Sequence, residues 1–325
     1  MNDRVTRLQQ YMNGIDCLLL TSPEDIFFYS GYMPLAEDGS LLAVMEKGAK
    51  LFTTQNGFQV KKASVDIRTL KKAQEFYDFV KNYRVVGFDE NSMLARTYEG
   101  MRKHGLEMVP SYEIIRKPRM VKDRGEVDRI RAAIALTKKA LRTRIEGTED
   151  GAAAKVDCLF RTSGASNAFE TIVASGRNSS NVHHRPSDRK ISRKDLVIVD
   201  LGAKLDCYCA DLTRTFCAAP GKREKSLMET VKHVQESLFD FIKPGLRMSD
   251  VQKEYERLLK KERARCFHLF GHGVGLNVHE SPMKDDELTE GMVITVEPGI
   301  YRKNFGGCRI EDMVLIKKEG IELLS

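Results

Sequence analysis

The chain has 325 residues, 42% of them hydrophobic and 30% charged, and its formal net charge is +7 at pH 7. This length predicts two domains rather than one core. The apolar runs fall well short of the roughly 18 residues that a membrane-spanning helix needs, which excludes a helical membrane protein. Lys and Arg are spread along the chain and do not gather in one tract, so we expect a solvated basic surface and no nucleic-acid partner.

The N-terminus and the cysteines indicate the compartment. The chain begins Met1-Asn-Asp-Arg and lacks the apolar run and cleavage site of a secretory signal, which predicts a cytoplasmic location. Its seven cysteines are scattered without a CxxC pair, so neither a disulfide framework nor a zinc knuckle is expected. Cys207 and Cys209 are interpreted as ordinary buried thiols.

The first hundred or so residues predict an α/β domain. Apolar side chains at helical intervals indicate helices at 2–13 and 92–104. Short apolar runs bounded by Gly, Pro, Asn or Asp indicate buried strands at 17–20, 41–45, 50–54 and 85–88. Helices and strands that alternate in this way pack around a sheet.

A change in composition marks the predicted domain boundary. Residues 110–125 are strongly charged and contain two prolines, a pattern typical of an exposed linker. We therefore expect an N-terminal domain at residues 1–117 and a second domain at residues 118–325.

The second domain is predicted to be α+β. Side chains of helical periodicity run from Ile130 to Ile145, and Gly147 can terminate that helix, after which Thr148 can cap the next one. Further helices are expected at 222–242 and 249–262. Strand character is found at 196–201, 205–217, 292–296 and 309–316.

Four acidic residues lie at the ends of apolar strands in this domain. Asp200 closes one strand and Asp211 follows eleven residues later, and Gly202 allows a hairpin that would bring them together. Two such acids alone are more often solvated or capping residues than metal ligands. Glu297 and Glu311 also adjoin apolar strands, and burying several unpaired carboxylates implies either protonation or a compensating cation.

A histidine completes the candidate site. His272 lies within Gly271-His-Gly-Val-Gly275, where glycines let the backbone pass close to an ion or a substrate. Four carboxylates and one imidazole form a hard, oxygen-rich ligand set. We therefore predict two divalent metal ions, Mn²⁺ or Co²⁺ by preference, with Zn²⁺ or Fe²⁺ as alternatives.

Several segments of the chain resemble the pita-bread metallopeptidases, in particular their Xaa-Pro branch of prolidases and aminopeptidase P. They are Ile198-Val-Asp-Leu-Gly-Ala, Ala210-Asp-Leu-Thr-Arg-Thr, Gly271-His-Gly-Val-Gly-Leu, His279-Glu-Ser-Pro, Thr295-Val-Glu-Pro-Gly-Ile-Tyr and Arg309-Ile-Glu-Asp. The N-terminal half, with Ser22-Pro-Glu-Asp-Ile-Phe-Phe-Tyr-Ser-Gly31, resembles the creatinase-type domain of the same branch. The resemblance implies a creatinase-type α/β domain followed by an α+β pita-bread catalytic domain.

The resemblance also assigns the metal ligands. It implies that Asp200 binds one ion, that His272 and Glu297 bind the other, and that Asp211 and Glu311 bridge the two. These are the residues that the acid pattern singles out independently.

Roles for substrate and proton transfer follow from the same resemblance. Glu297 is expected to shuttle a proton, and His183 and His279 are expected to hydrogen-bond the scissile carbonyl or the tetrahedral intermediate. His184 is then a bystander. Arg309 is expected either to bind substrate or to neutralise the acids.

The implied activity is hydrolysis of Xaa-Pro peptides by a homodimeric Xaa-Pro dipeptidase. Met283 and Lys284 stand where close relatives often place an Arg that can hold a substrate carboxylate, so an aminopeptidase acting on longer Xaa-Pro peptides stays open. A metal-free creatinase-like hydrolase and a non-enzymatic binding protein of the same fold are also considered. The complete set of predicted ligands argues against both.

Overall fold

The computed structural model describes residues 3–34, 39–54, 63–143 and 145–325. It divides into two compact units, Met1–Arg119 and Met120–Ser325. The domain limits 1–117 and 118–325 stay a prediction, because compactness alone does not define a folding unit. Within the described ranges, no helix combines the length and the apolar character that crossing a bilayer requires.

A six-stranded mixed sheet forms the centre of the first unit. Its strands are β1 Cys17–Leu20, β2 Leu41–Met45, β3 Ala49–Thr53, β4 Asp66–Thr69, β5 Val85–Phe88 and β6 Glu107–Pro110. They lie in the order β4-β3-β2-β1-β5-β6, with β1 to β3 antiparallel and the outer pairs parallel. The strands expected at 17–20, 41–45 and 85–88 are confirmed. The strand expected at 50–54 is found one residue earlier, as β3.

The helices of this unit alternate with its strands, which confirms the α/β prediction. They are α1 Asp3–Gln9, α2 Pro23–Ser30, α3 Gln74–Val80, α4 Ala95–Lys103 and α5 Tyr112–Met120. Ser22 caps α2 by accepting a hydrogen bond from the Asp25 amide. The first helix is shorter than the predicted span 2–13, whose residue 2 lies outside the described residues.

The prediction of an exposed linker at 110–125 is wrong, because α5 occupies most of this segment. Ile115 is fully buried, and the charge of Arg119 is paired with Asp25 at 2.7 Å. The prolines do not break the helix, since Pro110 ends β6 and Pro118 lies in the last turn of α5. Charge composition was misleading here because the arginines are buried with partners.

The second unit contains longer helices. They are α6 Arg124–Leu141, α7 Glu149–Thr162, α8 Lys222–Phe241 and α9 Met248–Lys261, with a short 3-10 helix at Gly176–Ser180. Asp123 and Glu126 form a capping box at the start of α6, and Thr148 caps α7 as predicted.

The first helix of this unit ends earlier than its periodicity suggested. Both the amide and the hydroxyl of Thr143 bond to the Ala140 carbonyl, which closes a turn after Leu141. Ile145 nevertheless packs against the same apolar cluster as α6. The apolar pattern therefore continues beyond the helix because the core continues, and the predicted end at Gly147 is wrong.

Antiparallel sheets complete the second unit. Its strands are β7 Ser166–Asn167, β8 Ile172–Ser175, β9 Val197–Leu201, β10 Ala203–Leu205, β11 Tyr208–Cys209, β12 Leu212–Phe216, β13 Val293–Val296, β14 Gly299–Arg302, β15 Gly306–Arg309, β16 Asp312–Ile316 and β17 Ile321–Leu323. One sheet has the order β12-β9-β8 and another β13-β16-β17. Apolar faces of α8 and α9 share a buried core with β13 and β16, so these strands are held rigidly.

Candidate metal centre

The hairpin of β9 and β12 positions the first two acids. Every residue of β9 is buried, and Asp200 lies opposite Thr213 of β12. A Cβ on Gly202 would lie 2.0 Å from the Ala210 carbonyl oxygen, so only glycine permits this close approach. The chain therefore turns back after Asp200 and brings Asp211 to the same place. Both carboxylates line one cavity.

A loop beside β13 positions His272 and Glu297. A Cβ on Gly271 would lie 2.0 Å from the Thr295 carbonyl oxygen, so the glycine serves contact with a strand rather than with an ion. The backbone of His272 bonds to Thr295, and the Glu297 amide donates to Phe270. This pairing leaves His272 Nε2 3.5 Å from Glu297 Oε1.

Hydrogen bonds to Thr213 of β12 position Glu311. Its amide donates to the Thr213 carbonyl at 3.0 Å, and the Thr213 hydroxyl donates to Glu311 Oε2 at 2.7 Å. Asp211, His272 and Glu311 each offer a ligand atom within 4.8 Å of the others. We call the carboxylates Asp200, Asp211, Glu297 and Glu311 the acid cluster.

Burial and mutual repulsion raise the pKa of three of these acids. Burial is the main cause for Asp211, and the charges of Glu311, Asp200 and Glu297 add to it. Burial, followed by the charges of Glu297 and Asp200, raises the pKa of Glu311 as well. Burial raises the pKa of Glu297 to about 8 although Arg309 opposes the rise. A bound cation would relieve this repulsion.

Three histidines near the acid cluster, His272, His268 and His279, are neutral at pH 7. Burial lowers the pKa of His272 to about 4, with a smaller contribution from the charge of His279. Burial also lowers the pKa of His268 to about 4 and that of His279 below its ordinary value. A neutral imidazole keeps a nitrogen lone pair, which a metal ligand requires.

Asp200 shows how the acid cluster fits a cation. Its Oδ2 accepts a hydrogen bond from Arg309 at 2.6 Å, whereas its buried Oδ1 has no hydrogen-bond partner among the described residues. An orphaned carboxylate oxygen is costly unless a cation binds it. Arg309 supplies one positive charge against four carboxylates, so this donor set fits divalent ions with oxygen-rich coordination.

The predicted site residues are brought together by the structure. A cavity of about 480 Å³ is lined by the acid cluster, His272, His183, His279 and Arg309. Phe169, Ile172, Val182 and Leu269 supply apolar walls to the same cavity. His183 is exposed, and the His279 ring stands edge-on to His272 with centroids 4.1 Å apart.

The guanidinium of Arg309 is almost fully buried and occupied by protein groups. It is 2% exposed and donates to Asp200, to the Tyr301 hydroxyl at 2.8 Å and to the Val182 carbonyl. Of the two roles considered from sequence, these contacts favour neutralisation of the acids over direct binding of substrate. The role of Arg309 in substrate binding stays a prediction.

Two side chains at the centre were not singled out from sequence. His268 Nε2 lies 2.9 Å from the Tyr301 hydroxyl, and its Nδ1 lies 3.7 Å from Glu297 Oε2. His268 precedes His272 by four residues in a segment that is not helical, so its spacing does not predict its direction. The Tyr301 hydroxyl connects Arg309 with His268.

Asp312, the neighbour of Glu311, faces away from the acid cluster. Its carboxylate accepts hydrogen bonds from Arg214 at 2.6 Å and from Gln235 at 3.1 Å. Successive side chains of a strand point to opposite faces. Asp312 therefore supports the strand rather than offering a ligand.

The loop that carries His279 is fixed in the interior. The residue after it, Glu280, binds Lys122 Nζ at 2.7 Å and accepts from the Asn277 amide at 3.1 Å. The Lys122 side chain is fully buried. A charge pair at such depth holds the loop in one position, because breaking it would leave an uncompensated buried charge.

Comparison with known proteins identifies the family. The model of the creatinase/prolidase N-terminal domain matches residues 4–121, and that of metallopeptidase family M24 matches residues 128–318. The second match covers more than half of the chain and includes the acid cluster and His272. The chain belongs to metallopeptidase family M24. It is 33% identical to the Xaa-Pro dipeptidase of Pyrococcus horikoshii over 343 residues, which is 100% of this chain and 97% of that protein.

Solved structures of M24 peptidases are similar throughout the chain. The prolidase from Pyrococcus horikoshii matches with a TM-score of 0.92 and 32% identity, covering 99% of this chain and 98% of that one. The X-Pro aminopeptidase from Thermotoga maritima matches with a TM-score of 0.87 and 29% identity, at 99% and 97% coverage. The chain is thus a peptidase with a creatinase-type domain and a pita-bread catalytic domain, and divalent metal ions belong to this family's chemistry.

Proposed function

We propose that the protein is a Xaa-Pro dipeptidase that uses two divalent metal ions. The observation that carries this proposal is the convergence of four carboxylates and a neutral imidazole around one cavity, with Arg309 as the paired cation. Relatives named for Xaa-Pro hydrolysis supply the substrate class. The proposed ligands are Asp200, Asp211, His272, Glu297 and Glu311.

The proposed metal is Mn²⁺ or Co²⁺, because oxygen ligands predominate and no thiolate is in the set. Such ions, when bound, act as Lewis acids and lower the pKa of water, so that a nucleophile exists at neutral pH. The unpaired Oδ1 of Asp200 is the protein atom whose environment most clearly favours a bound ion.

The remaining steps fall to the chain's own side chains. Glu297, which lines the cavity beside the other proposed ligands, is the carboxylate placed to take up and return a proton during hydrolysis. His279 and His183 line the cavity as donors for the scissile carbonyl oxygen, and burial, which lowers the pKa of His279, keeps that ring neutral. The apolar walls, including Phe169 and Ile172, suit a pyrrolidine ring.

A substrate series tests the proposed function directly. Metal-loaded protein is offered an Ala-Pro dipeptide, an Ala-Pro-Ala tripeptide and an Ala-Ala control, and release of the N-terminal residue is measured. We expect cleavage of the proline peptides and little cleavage of the control. Equal rates on all three substrates, or none on any, would refute the proposal.

His183 and His279, two of the cavity histidines outside the ligand set, should affect turnover but not metal binding. We expect His279→Ala and His183→Ala to lower kcat roughly 10²-fold, the usual loss for a donor to a developing oxyanion. Metal content, measured by elemental analysis, should equal that of the wild type. Loss of metal in either variant would show that the histidine is a ligand and that the proposed ligand set is wrong.

A second cavity favours an aminopeptidase as the alternative function. It has a volume of about 650 Å³, lies beside the metal centre and shares Leu269, His272 and His279 with the first cavity. Met283 and Lys284, both exposed, line its other side. Met283 cannot pair with a carboxylate, and Lys284 offers only a mobile charge, so a free C-terminus next to proline is not strictly required.

Substrate length should therefore be discriminated weakly. We expect comparable kcat/KM for Xaa-Pro dipeptides and tripeptides, and we expect Met283→Arg to shift the ratio toward dipeptides by about tenfold or more through a charge-assisted hydrogen bond. Lys303→Ala, which alters an exposed lysine outside both cavities, is the control. If the wild type cleaves only dipeptides and Lys284→Ala keeps that preference, the substrate carboxylate must be bound by residues other than Lys284.

The homodimer and the cytoplasmic location remain predictions that accompany this function. Light scattering on the purified protein measures the first, and fractionation of the source cells measures the second.

A further inference from the structure

One carboxylate of the catalytic unit is deeply buried yet lies outside the acid cluster. Glu149, the first residue of α7, has a side chain with no exposed surface. Hydrogen bonds from backbone and side chains surround both oxygens. The donors are the Ser175 amide and hydroxyl, Asn178 Nδ2, His184 Nε2, and the Ser187 amide and hydroxyl.

These hydrogen bonds hold Glu149 as an anion. Burial opposes ionisation, but the donors from Ser187, Ser175 and His184 outweigh it and lower the pKa of Glu149 to about 2. A carboxylate accepts and cannot donate when ionised, so His184 must present its Nε2–H to Glu149, at 2.8 Å. Charge-assisted hydrogen bonds of this kind are the strong ones.

The segment held by Glu149 is the one that carries His183 into the cavity. On one side of His183, the Val182 carbonyl accepts from Arg309, which itself binds Asp200. On the other side, His184 is fixed to Glu149. His183 is therefore bracketed by two anchors, and one of them leads to the acid cluster.

We propose that Glu149 and His184 are positioning residues that set His183 for substrate. The inference rests on the proposed function, because it assumes that His183 acts on the substrate. The resemblance to Xaa-Pro peptidases assigned no role to His184, and Glu149 lies in none of the motifs that carried it. The pair acts through the backbone of residues 182–187, and a misplacement of about 1 Å is enough to cost up to 10²-fold in rate.

Substitutions at His184 separate positioning from general stability. We expect His184→Ala to lower kcat about tenfold, with a smaller change in KM and with metal content unchanged, since the anchor lies outside the ligand set. His184→Gln places an amide N–H near the position of Nε2 and should restore most of the activity. Glu149→Gln presents an amide to groups that are themselves donors, so it should lower kcat at least as much as His184→Ala does.

A double-mutant cycle with His183 gives the decisive measurement. If His184 acts only through His183, adding His184→Ala to His183→Ala should cost less than about twofold further, because the positioned group is already gone. A further loss as large as that of His184→Ala alone would overturn the inference, since His184 would then act independently. Full activity of His184→Ala would overturn it as well.

Two controls keep the result unambiguous. Thr137→Val removes a buried hydroxyl that bonds the Ala133 carbonyl and the Ala203 amide, outside the hydrogen bonds of the anchor, and should lower stability while leaving kcat unchanged. Hydrogen exchange of residues 182–187 should accelerate in Glu149→Gln more than exchange elsewhere, whether or not the enzyme turns over. Unchanged exchange in residues 182–187 would show that Glu149 does not hold this segment in place.

Failure of the proposed function would look different. A wild type that cleaves no Xaa-Pro peptide, or a His183→Ala variant with normal turnover, would sink both the proposed function and this role for the anchor. If His183→Ala lowers kcat as expected but the effects of the two substitutions are additive in the cycle, only the positioning role of Glu149 and His184 is refuted.

Discussion

Asp211→Asn and Glu311→Gln should each lose metal and activity together. Both changes keep the size of the side chain and remove the charge from an atom that lies within 4.8 Å of the other ligand atoms. Because the proposed catalysis depends on water activated by metal ions, we expect turnover to fall by at least about 10³-fold, more than for one oxyanion donor. Elemental analysis and peptide hydrolysis on the same preparation measure the two losses.

The chain offers a matched control for this experiment. Asp312 adjoins Glu311 and is buried, but its carboxylate binds Arg214 and Gln235 on the opposite face of the strand. Asp312→Asn should therefore lower stability and keep the wild-type metal content. Near-normal turnover with two tightly bound ions in Asp211→Asn or Glu311→Gln would show that the substituted residue is not a ligand.

The strands that carry the metal centre were largely predictable. Buried runs such as Val293–Val296 have a simple apolar signature, and a carboxylate at the end of such a run needs a cation or a proton. Asp200, Asp211, Glu297 and Glu311 all follow this pattern, which explains why sequence alone selected them. Their convergence depends on sheet register and on Gly202, and sequence suggested only that a hairpin was allowed.

Most of the residues that were misinterpreted from sequence have interaction partners that lie far away along the chain. Charged residues at 110–125 indicated a linker because nothing in the segment shows that Arg119 pairs with Asp25, 94 residues away. His184 was set aside for the same reason, since Glu149 lies 35 residues earlier in another element. A buried polar residue is recognised from its partner, and the partner is supplied by the tertiary fold.

His268 and Tyr301 illustrate a second limit. Aromatic and histidine side chains on loops and strands are usually packing residues, and the local sequence gives no direction for the His268 ring. In the structure the Tyr301 hydroxyl lies between His268 and Arg309 and so links the loop of His272 to the acid cluster. A contact of this kind depends on the relative placement of two chain segments.

Removal of metal should abolish activity and weaken the fold in a pH-dependent way. In the metal-free protein burial raises the pKa of Glu297 to about 8 and also raises the pKa of Asp211 and Glu311. Between about pH 7.5 and 8.5 the unfolded chain has these carboxyls ionised, whereas the folded protein retains protons. The folded state thus binds more protons, and its free energy of unfolding falls as pH rises through this range.

Titration of the histidines does not mask the effect of the carboxyls on stability in this pH range. Burial lowers the pKa of His272 and His268 to about 4, so both are neutral in the folded state, whereas in the unfolded chain, where the histidine pKa is about 6.5, they become mostly neutral only above about pH 7.5. Below about pH 7.5 they act in the opposite sense, because the unfolded chain then binds protons that the folded protein does not. The thermal midpoint of the metal-free protein should therefore fall between about pH 7.5 and 8.5.

Bound metal should reverse the trend. Ions compete with protons for the carboxylates, so their affinity rises with pH, and ligand at about 1,000 times its Kd stabilises the folded state by about 4 kcal/mol. For a unit of this size that corresponds to a rise of about 10 °C in the thermal midpoint. Calorimetry of chelated and Mn²⁺-loaded protein at about pH 7.5 and 8.5 should show a gap that widens with pH, and Asp211→Asn should show little gap. Full activity in chelator, or a midpoint of metal-free protein that rises across this range, would contradict the assignment of the acid cluster as a metal-binding group.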